Sequence, residues 1–216
     1  IPSLYHKHRN PAVLRRTGVP GTVMLTFDDG PDPDYTGRLL DLLKKEEVKA
    51  AFFVVTREAV KEEALIDRML SEGHVVGFHS MDHQNAMVRG YLHTRKDFRT
   101  GSEFMKQKGI SDIWYRPPWG LTNLFSWHFV RKYGMKMVLW DVMAEDWERG
   151  ATAGSIRKKC LSRVKDGSIL CLHDGGRRTG GAPGAPEKTL EALTYVIPAL
   201  KEAGYRFILP SEAVFR

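Results

Sequence analysis

The sequence predicts an α/β fold, a barrel of about seven parallel strands, and three observations carry that expectation. Short apolar runs alternate with longer segments of helical periodicity along the 216 residues. Glycines stand just after several of the helical segments, where a left-handed C-terminal cap needs one. Chemistry-bearing side chains gather at the ends of the apolar runs. In a parallel barrel the strand C-termini converge on one mouth, and reactive groups collect there.

Residues 1–20, with Pro2, Pro11 and Pro20, read as an irregular lead-in, and residues 21–216 as one domain. The apolar runs are 22–27, 49–55, 74–79, 112–116, 136–142, 167–172 and 205–209. Each is short, rich in β-branched or aromatic residues and bounded by Gly, Pro, Asp or His, which are buried-strand signals. Between them, residues 35–46 place Leu39, Leu40, Leu42 and Leu43 on one helical stripe. Residues 57–72, 92–108, 122–133, 153–164 and 187–203 complete the helical set. Gly73, Gly109, Gly134 and Gly204 occupy the expected cap positions. Strands alternating with helices imply right-handed crossovers between parallel strands. The one long loop is 175–186, rich in Gly and Pro.

Hydrophobic residues make up 42% and charged residues 27%, enough apolar content for a packed core. No apolar stretch approaches the roughly 20 residues that span a bilayer. The net charge of +7 suits either simple solubility or an anionic partner: nucleic acid, a membrane surface or an acidic cell-wall polymer. No RNA-binding motif or dense Lys/Arg block supports nucleic acid. Cys171 lies inside an apolar run and is expected as a buried thiol, and a disulfide with Cys160 is not expected. The chain begins at Ile1, as a fragment or processed form would, so any signal or anchor is expected to lie outside it.

Two carboxylates, Asp28 and Asp29, end the first apolar run. Adjacent charges repel and lose hydration at a buried strand tip, unless a metal ion or a reacting proton uses them. Taken alone, Asp-Gly-Pro is also good turn chemistry. His79 and His83, four positions apart, share a face if their segment is helical, and with one carboxylate they make a first-row metal site with room for water. The other Asp is then free to act as a base. Arg116 precedes a rigid Pro117-Pro118 exit and can pair with a mouth carboxylate. His173 follows an apolar run beside Asp174, placed either for a structural bond or as a general acid. Trp147 is either a sugar-stacking wall or packing.

These residues resemble the polysaccharide deacetylases, carbohydrate esterase family four, over roughly residues 20–210. The motifs that carry the resemblance are Thr26-Phe27-Asp28-Asp29-Gly30-Pro31, His79-Ser80-x-x-His83, Arg116-Pro117-Pro118-Trp119-Gly120 and Leu172-His173-Asp174, in the family's order. The resemblance implies a distorted (β/α) barrel with a catalytic domain over 21–216. It implies Asp28 as general base, oriented by Arg116, and Asp29, His79 and His83 as the metal triad. It gives His173 the role of general acid and the Trp119 N–H a share in holding the oxyanion. Pro117, Trp119 and Trp147 would line the substrate groove. The implied cofactor is a divalent metal, zinc first, with cobalt, nickel or manganese as alternatives.

Two positions depart from the family. Its fourth motif reads Asp-x-x-Asp-Trp, and here Met143 replaces the first Asp in Met143-Ala144-Glu145-Asp146-Trp147. That Asp tunes the catalytic histidine, so Asp141 or Asp174 is expected to substitute in part. Cys171 replaces a leucine of the acetyl-methyl pocket. The expected activity is N-deacetylation of an amino-sugar polymer, peptidoglycan or a chitooligosaccharide, by a monomer acting outside the cytoplasm. The rival readings are O-deacetylation of an acetylated xylan, a weakened carbohydrate-binding protein, and a basic nucleic-acid binder.

Overall fold

A computed structural model describes Leu4, Tyr5 and residues 8–215. Pro2, one of the three lead-in prolines, lies outside the described residues. The strands are β1 (Val13–Leu14), β2 (Thr22–Asp28), β3 (Ala51–Val54), β4 (Val75–Phe78), β5 (Trp114–Tyr115), β6 (Lys136–Val138), β7 (Val142–Met143), β8 (Ile169–His173) and β9 (Arg206–Phe207). The helices are α1 (Thr36–Lys45), α2 (Thr56–Ala59), α3 (Glu63–Ser71), α4 (Tyr91–Gln107), α5 (Ser126–Lys132), α6 (Ala153–Arg163) and α7 (Ala185–Glu202).

The strands pair in parallel in the order β1-β6-β5-β4-β3-β2-β8-β7, with β9 beside the start of β2. The ladder leaves a seam between β1 and β7. Arg16, just past β1, crosses it in an antiparallel bridge to Ser168, just before β8. The result is a distorted (β/α) barrel.

The central strands β2 and β3 are buried on both faces, as a parallel sheet under helices requires. Alternation along β2 divides the core. Met24 points inward to join Leu14, Ala51, Phe53, Trp114, Val138 and Ile169 inside the barrel. Val23, Leu25 and Phe27 point outward beneath the helices. Helix α1 buries Leu39, Leu40 and Leu43 there. Helix α4 comes so close to β4 that a Cβ on Gly101 would lie 2.3 Å from the Phe78 ring. Gly73, Gly109, Gly134 and Gly204 all take positive φ, between 62° and 84°, at helix ends.

The architecture departs from the sequence expectation at four places. Val13–Leu14, inside the expected lead-in, pairs with β6. The 136–142 run splits into β6 and β7. Between them the Asp141 carboxylate accepts the Ile169 N–H at 2.7 Å and the Ser168 hydroxyl at 2.9 Å, and the chain crosses from one neighbour to another. The 57–72 helix breaks into α2 and α3, because the N–H groups of Thr56 and Arg57 are drawn to the carbonyls of Ser80 and Met81. Helix α5 starts late, because Asn123 Oδ1 caps it by accepting the N–H groups of Phe125 and Ser126, both at 2.9 Å.

Candidate active site

The C-terminal ends of β2, β4 and β8 and the loops after β5 and β7 enclose a cleft of about 510 Å³. Asp28 is the last residue of β2, in register with Phe53 of β3 and His173 of β8. Strand alternation would send Asp29 to the opposite face. Its φ of 76° breaks the alternation, and both carboxylates line the same cleft. The turn is tightly packed. A Cβ on Gly175 would lie 2.6 Å from the Asp29 carbonyl oxygen, so only glycine fits there.

The two carboxylates meet different partners. Arg116 is fully buried, and its Nη1 donates to Asp28 Oδ1 and to the Thr26 hydroxyl, each at 2.7 Å. Its Nη2 donates to the Leu139 carbonyl at 3.1 Å, and its guanidinium lies 4.1 Å from the centre of the Phe53 ring. A rigid fork anchored at this many points fixes the Asp28 carboxylate. Asp28 Oδ2 stands 3.5 Å from the Cys171 thiol, whose ionisation burial pushes well up, so it stays neutral. Cys160 is also a buried free thiol.

Asp29 Oδ1 lies 3.4 Å from His79 Nε2 and 3.2 Å from His83 Nε2. His79 Nδ1 is 2.7 Å from the Arg116 carbonyl, to which it must donate, so Nε2 presents a lone pair. Asp29 Oδ1 is buried and accepts no hydrogen bond. Burial works against its charge, but the imidazoles in their protonated forms, His79 first, outweigh burial and hold the carboxyl well below the usual range. Burial and His79 push His83 down to about 4, so it is neutral and able to ligate at pH 7. These ligand atoms all lie within 4.8 Å of one another. Lone pairs facing an orphaned carboxylate oxygen repel unless a cation lies between them, and the donor set fits a divalent first-row ion.

A turn, not a helix, brings the two histidines together. Ser80 and His83 both take left-handed backbone, with φ of 67° and 50°, and the Ser80 hydroxyl accepts the His83 N–H at 2.7 Å. Asp82 points away and pairs with Arg57 at 2.6 Å.

His173 is held by a residue that sequence reasoning did not choose. Asp146 Oδ1 lies 2.8 Å from His173 Nδ1, and Oδ2 accepts the His173 N–H and the Thr189 hydroxyl, both at 2.8 Å. Burial lowers the affinity of the imidazole for its proton, but Asp146, then Asp29 and Asp28, raise it to about 9. The two expected substitutes lie elsewhere. Asp141 sits at the opposite end of β8 and pairs with Arg16 at 3.6 Å. Asp174 accepts the Thr36 hydroxyl at 2.6 Å, and burial raises its carboxyl to about 7. The signal for Asp146 was in the retained half of the fourth motif. β7 pairs with β8 through Met143 and Cys171, so the chain just beyond β7 runs beside His173.

Trp119, 48% exposed, sets its ring 4.3 Å from that of His83, and Trp147 meets His173 edge-on at 5.0 Å. Pro117 is buried outside the cleft lining and gives its carbonyl to the Gly120 N–H, which shapes the loop. Sequence reasoning missed Trp140 and the loop residues Thr179, Gly180 and Gly181, which also line the cleft. The Thr179 hydroxyl donates to Asp29 Oδ2 at 2.6 Å.

Comparison with known proteins identifies the family of the chain. The polysaccharide deacetylase family matches over residues 15–138. A peptidoglycan-N-acetylglucosamine deacetylase of Bacillus cereus is 33% identical over 192 residues, covering 88% of this chain and 86% of that protein. A chitooligosaccharide deacetylase of Bradyrhizobium sp. is 33% identical over 203 residues, covering 90% of this chain and 92% of that protein. The solved peptidoglycan N-acetylglucosamine deacetylase Bc1960 superposes with a TM-score of 0.84 at 31% identity, over 93% of this chain and 92% of that one. The chain belongs to the polysaccharide deacetylase family, carbohydrate esterase family four.

Proposed function

We propose that this protein removes N-acetyl groups from an amino-sugar polymer, peptidoglycan or a related chitooligosaccharide, outside the cytoplasm. The observation that carries the reading is the division between neighbouring carboxylates: Asp28 is bound to Arg116, and Asp29 is turned to His79 and His83. A divalent ion held by Asp29, His79 and His83, zinc first, would polarise the acetyl carbonyl and acidify water at the same place.

The chain's own groups supply the remaining steps. Asp28, oriented by Arg116, takes the proton of the attacking water. The Trp119 N–H donates to the developing oxyanion. His173 is protonated at neutral pH and donates its proton to the departing nitrogen. Asp146 stabilises the imidazolium before that transfer. Trp119 and Trp147 offer ring faces and edges on either side of the cleft, suited to the C–H faces of a sugar. Acetate and a free amino sugar result. The B. cereus relative and the net charge of +7 favour peptidoglycan, an anionic wall polymer in its native setting.

The test is mass spectrometry of peptidoglycan and chitooligosaccharide digests after incubation with zinc-loaded protein. Loss of an acetyl from a defined sugar supports the reading. Intact acetyls on every amino sugar, with metal bound stoichiometrically, contradict it. Acetate released only from acetylated xylan makes the protein an esterase.

A further inference from the structure

The sequence contains no Asp or Glu between Asp82 and Asp97, and none between Asp112 and Asp141. The fold presses these two acid-free stretches together. Asn123 Nδ2 donates to the carbonyls of Ala86 and Arg89 at 3.0 Å each and to the Thr94 hydroxyl at 2.8 Å. The Tyr91 ring lies 5.4 Å from Phe125 and 5.5 Å from Phe129.

The surface they share is apolar at its crest. Leu92 is 76% exposed, Val88 74%, Leu124 73% and Met87 51%. Its rim is basic: Arg89, Arg95, Lys96, Arg131 and Lys132 are exposed, and none of them pairs with a carboxylate among the described residues. The acids that bound the stretches are engaged elsewhere. Asp82 pairs with Arg57, Asp112 pairs with Lys136, and Asp97 accepts the Met81 N–H. The same stretches carry His83 and Trp119, so the surface borders the mouth of the cleft.

We propose that this surface docks on an anionic lipid bilayer, with Val88, Leu92 and Leu124 inserted among the headgroups and the basic rim on the phosphates. Exposed aliphatic side chains ringed by cations match an interfacial lipid site. A purely polyanionic polymer would use the rim and leave three large aliphatic side chains in water. A second copy of the chain would bring two unpaired basic rims together. Docking in this way holds the cleft beside the lipid surface.

The experiment is co-sedimentation of the full, zinc-loaded chain with two kinds of vesicle, phosphatidylcholine alone and phosphatidylcholine mixed with phosphatidylglycerol. Binding to the mixed vesicles only, weakening as salt rises, is expected. The exposed triple variant Val88→Ser, Leu92→Ser, Leu124→Ser should bind the mixed vesicles at least about tenfold more weakly while keeping its far-UV spectrum. Arg95→Gln and Lys96→Gln should each weaken binding about fivefold. No binding to either vesicle overturns the proposal. So does a serine variant that binds as well as the parent. Capture by dextran sulfate as tight as by vesicles, and equal in parent and serine variant, assigns the rim to an acidic polymer and overturns it. Concentration-dependent dimerisation abolished by the serine changes assigns the face to a second copy and overturns it as well.

Discussion

Asp146 grips His173 at two points: Oδ1 stands 2.8 Å from the imidazole Nδ1, and Oδ2 accepts the backbone N–H of the same residue at 2.8 Å. The double contact fixes both the ring tautomer and its direction, with Nε2 turned to the cleft. It also raises the imidazole to about 9 against the pull of burial. The first Asp of the family's fourth motif is replaced here by Met143, yet this pair does not depend on it.

A pH–rate profile follows from that pair. With the protonated imidazole as the proposed acid, turnover should fall as pH rises through about 9. Asp146→Asn removes the charge that raises the imidazole, so the alkaline limb should move to lower pH and kcat should drop. Asp141→Asn should leave the limb in place, since Asp141 is bound to Ser168 and Ile169. The same pair contributes stability that is full below the unfolded imidazole value and is lost as pH rises through about 9.

Arg116→Met should be the most destabilising change at the site. It leaves Asp28 buried without its counter-charge and strands the Leu139 carbonyl. Breaking one side of a buried ion pair costs about 3–5 kcal/mol, to be read as a fall in the urea midpoint. The Asp28→Asn, Arg116→Met double variant should recover part of that loss, because the stranded charge is gone.

Thr179 bonds the oxygen of Asp29 that does not face the histidines. Thr179→Val should weaken metal binding by about 10–100-fold, as removal of such supporting bonds does. Thr179→Ser keeps the hydroxyl and should stay near the parent. Competition with a zinc-responsive chelating dye measures both.

Two helix glycines should respond with opposite sign to alanine. Gly101→Ala drives a methyl into Phe78, whose ring is confined by Phe98 and Tyr115, and should cost about 1–3 kcal/mol. Gly37→Ala meets nothing closer than 3.8 Å and should stabilise the protein by up to about 1 kcal/mol. Thermal denaturation of both variants reads the contrast.

The barrel was legible in the sequence because each run that ends in a site residue is also a short buried strand. Asp28, His79, Arg116 and His173 stand at strand ends, and the sheet order brings those ends together. The details that escaped depend on long-range contacts. The β6–β7 break is set by Asp141 meeting Ile169, and the α2–α3 break by carbonyls of the His79 loop. Val13–Leu14 becomes a strand only because β6 offers an edge. Asp146 and Thr179 come from loops, where no periodicity tells which way a side chain points. The histidines meet beside Asp29 by way of two left-handed turn residues, not the helical spacing that first suggested it.

Metal content of two variants tests the central claim most directly. Zinc-loaded Asp28→Asn and Asp29→Asn proteins are dialysed and analysed by inductively coupled plasma mass spectrometry, beside the parent. Asp28→Asn should keep its metal and lose turnover, because its carboxylate belongs to Arg116. Asp29→Asn should lose the metal itself, because its Oδ1 faces both histidines. Equal metal loss in the two variants, or full retention in Asp29→Asn, would contradict the division of labour at the tip of β2.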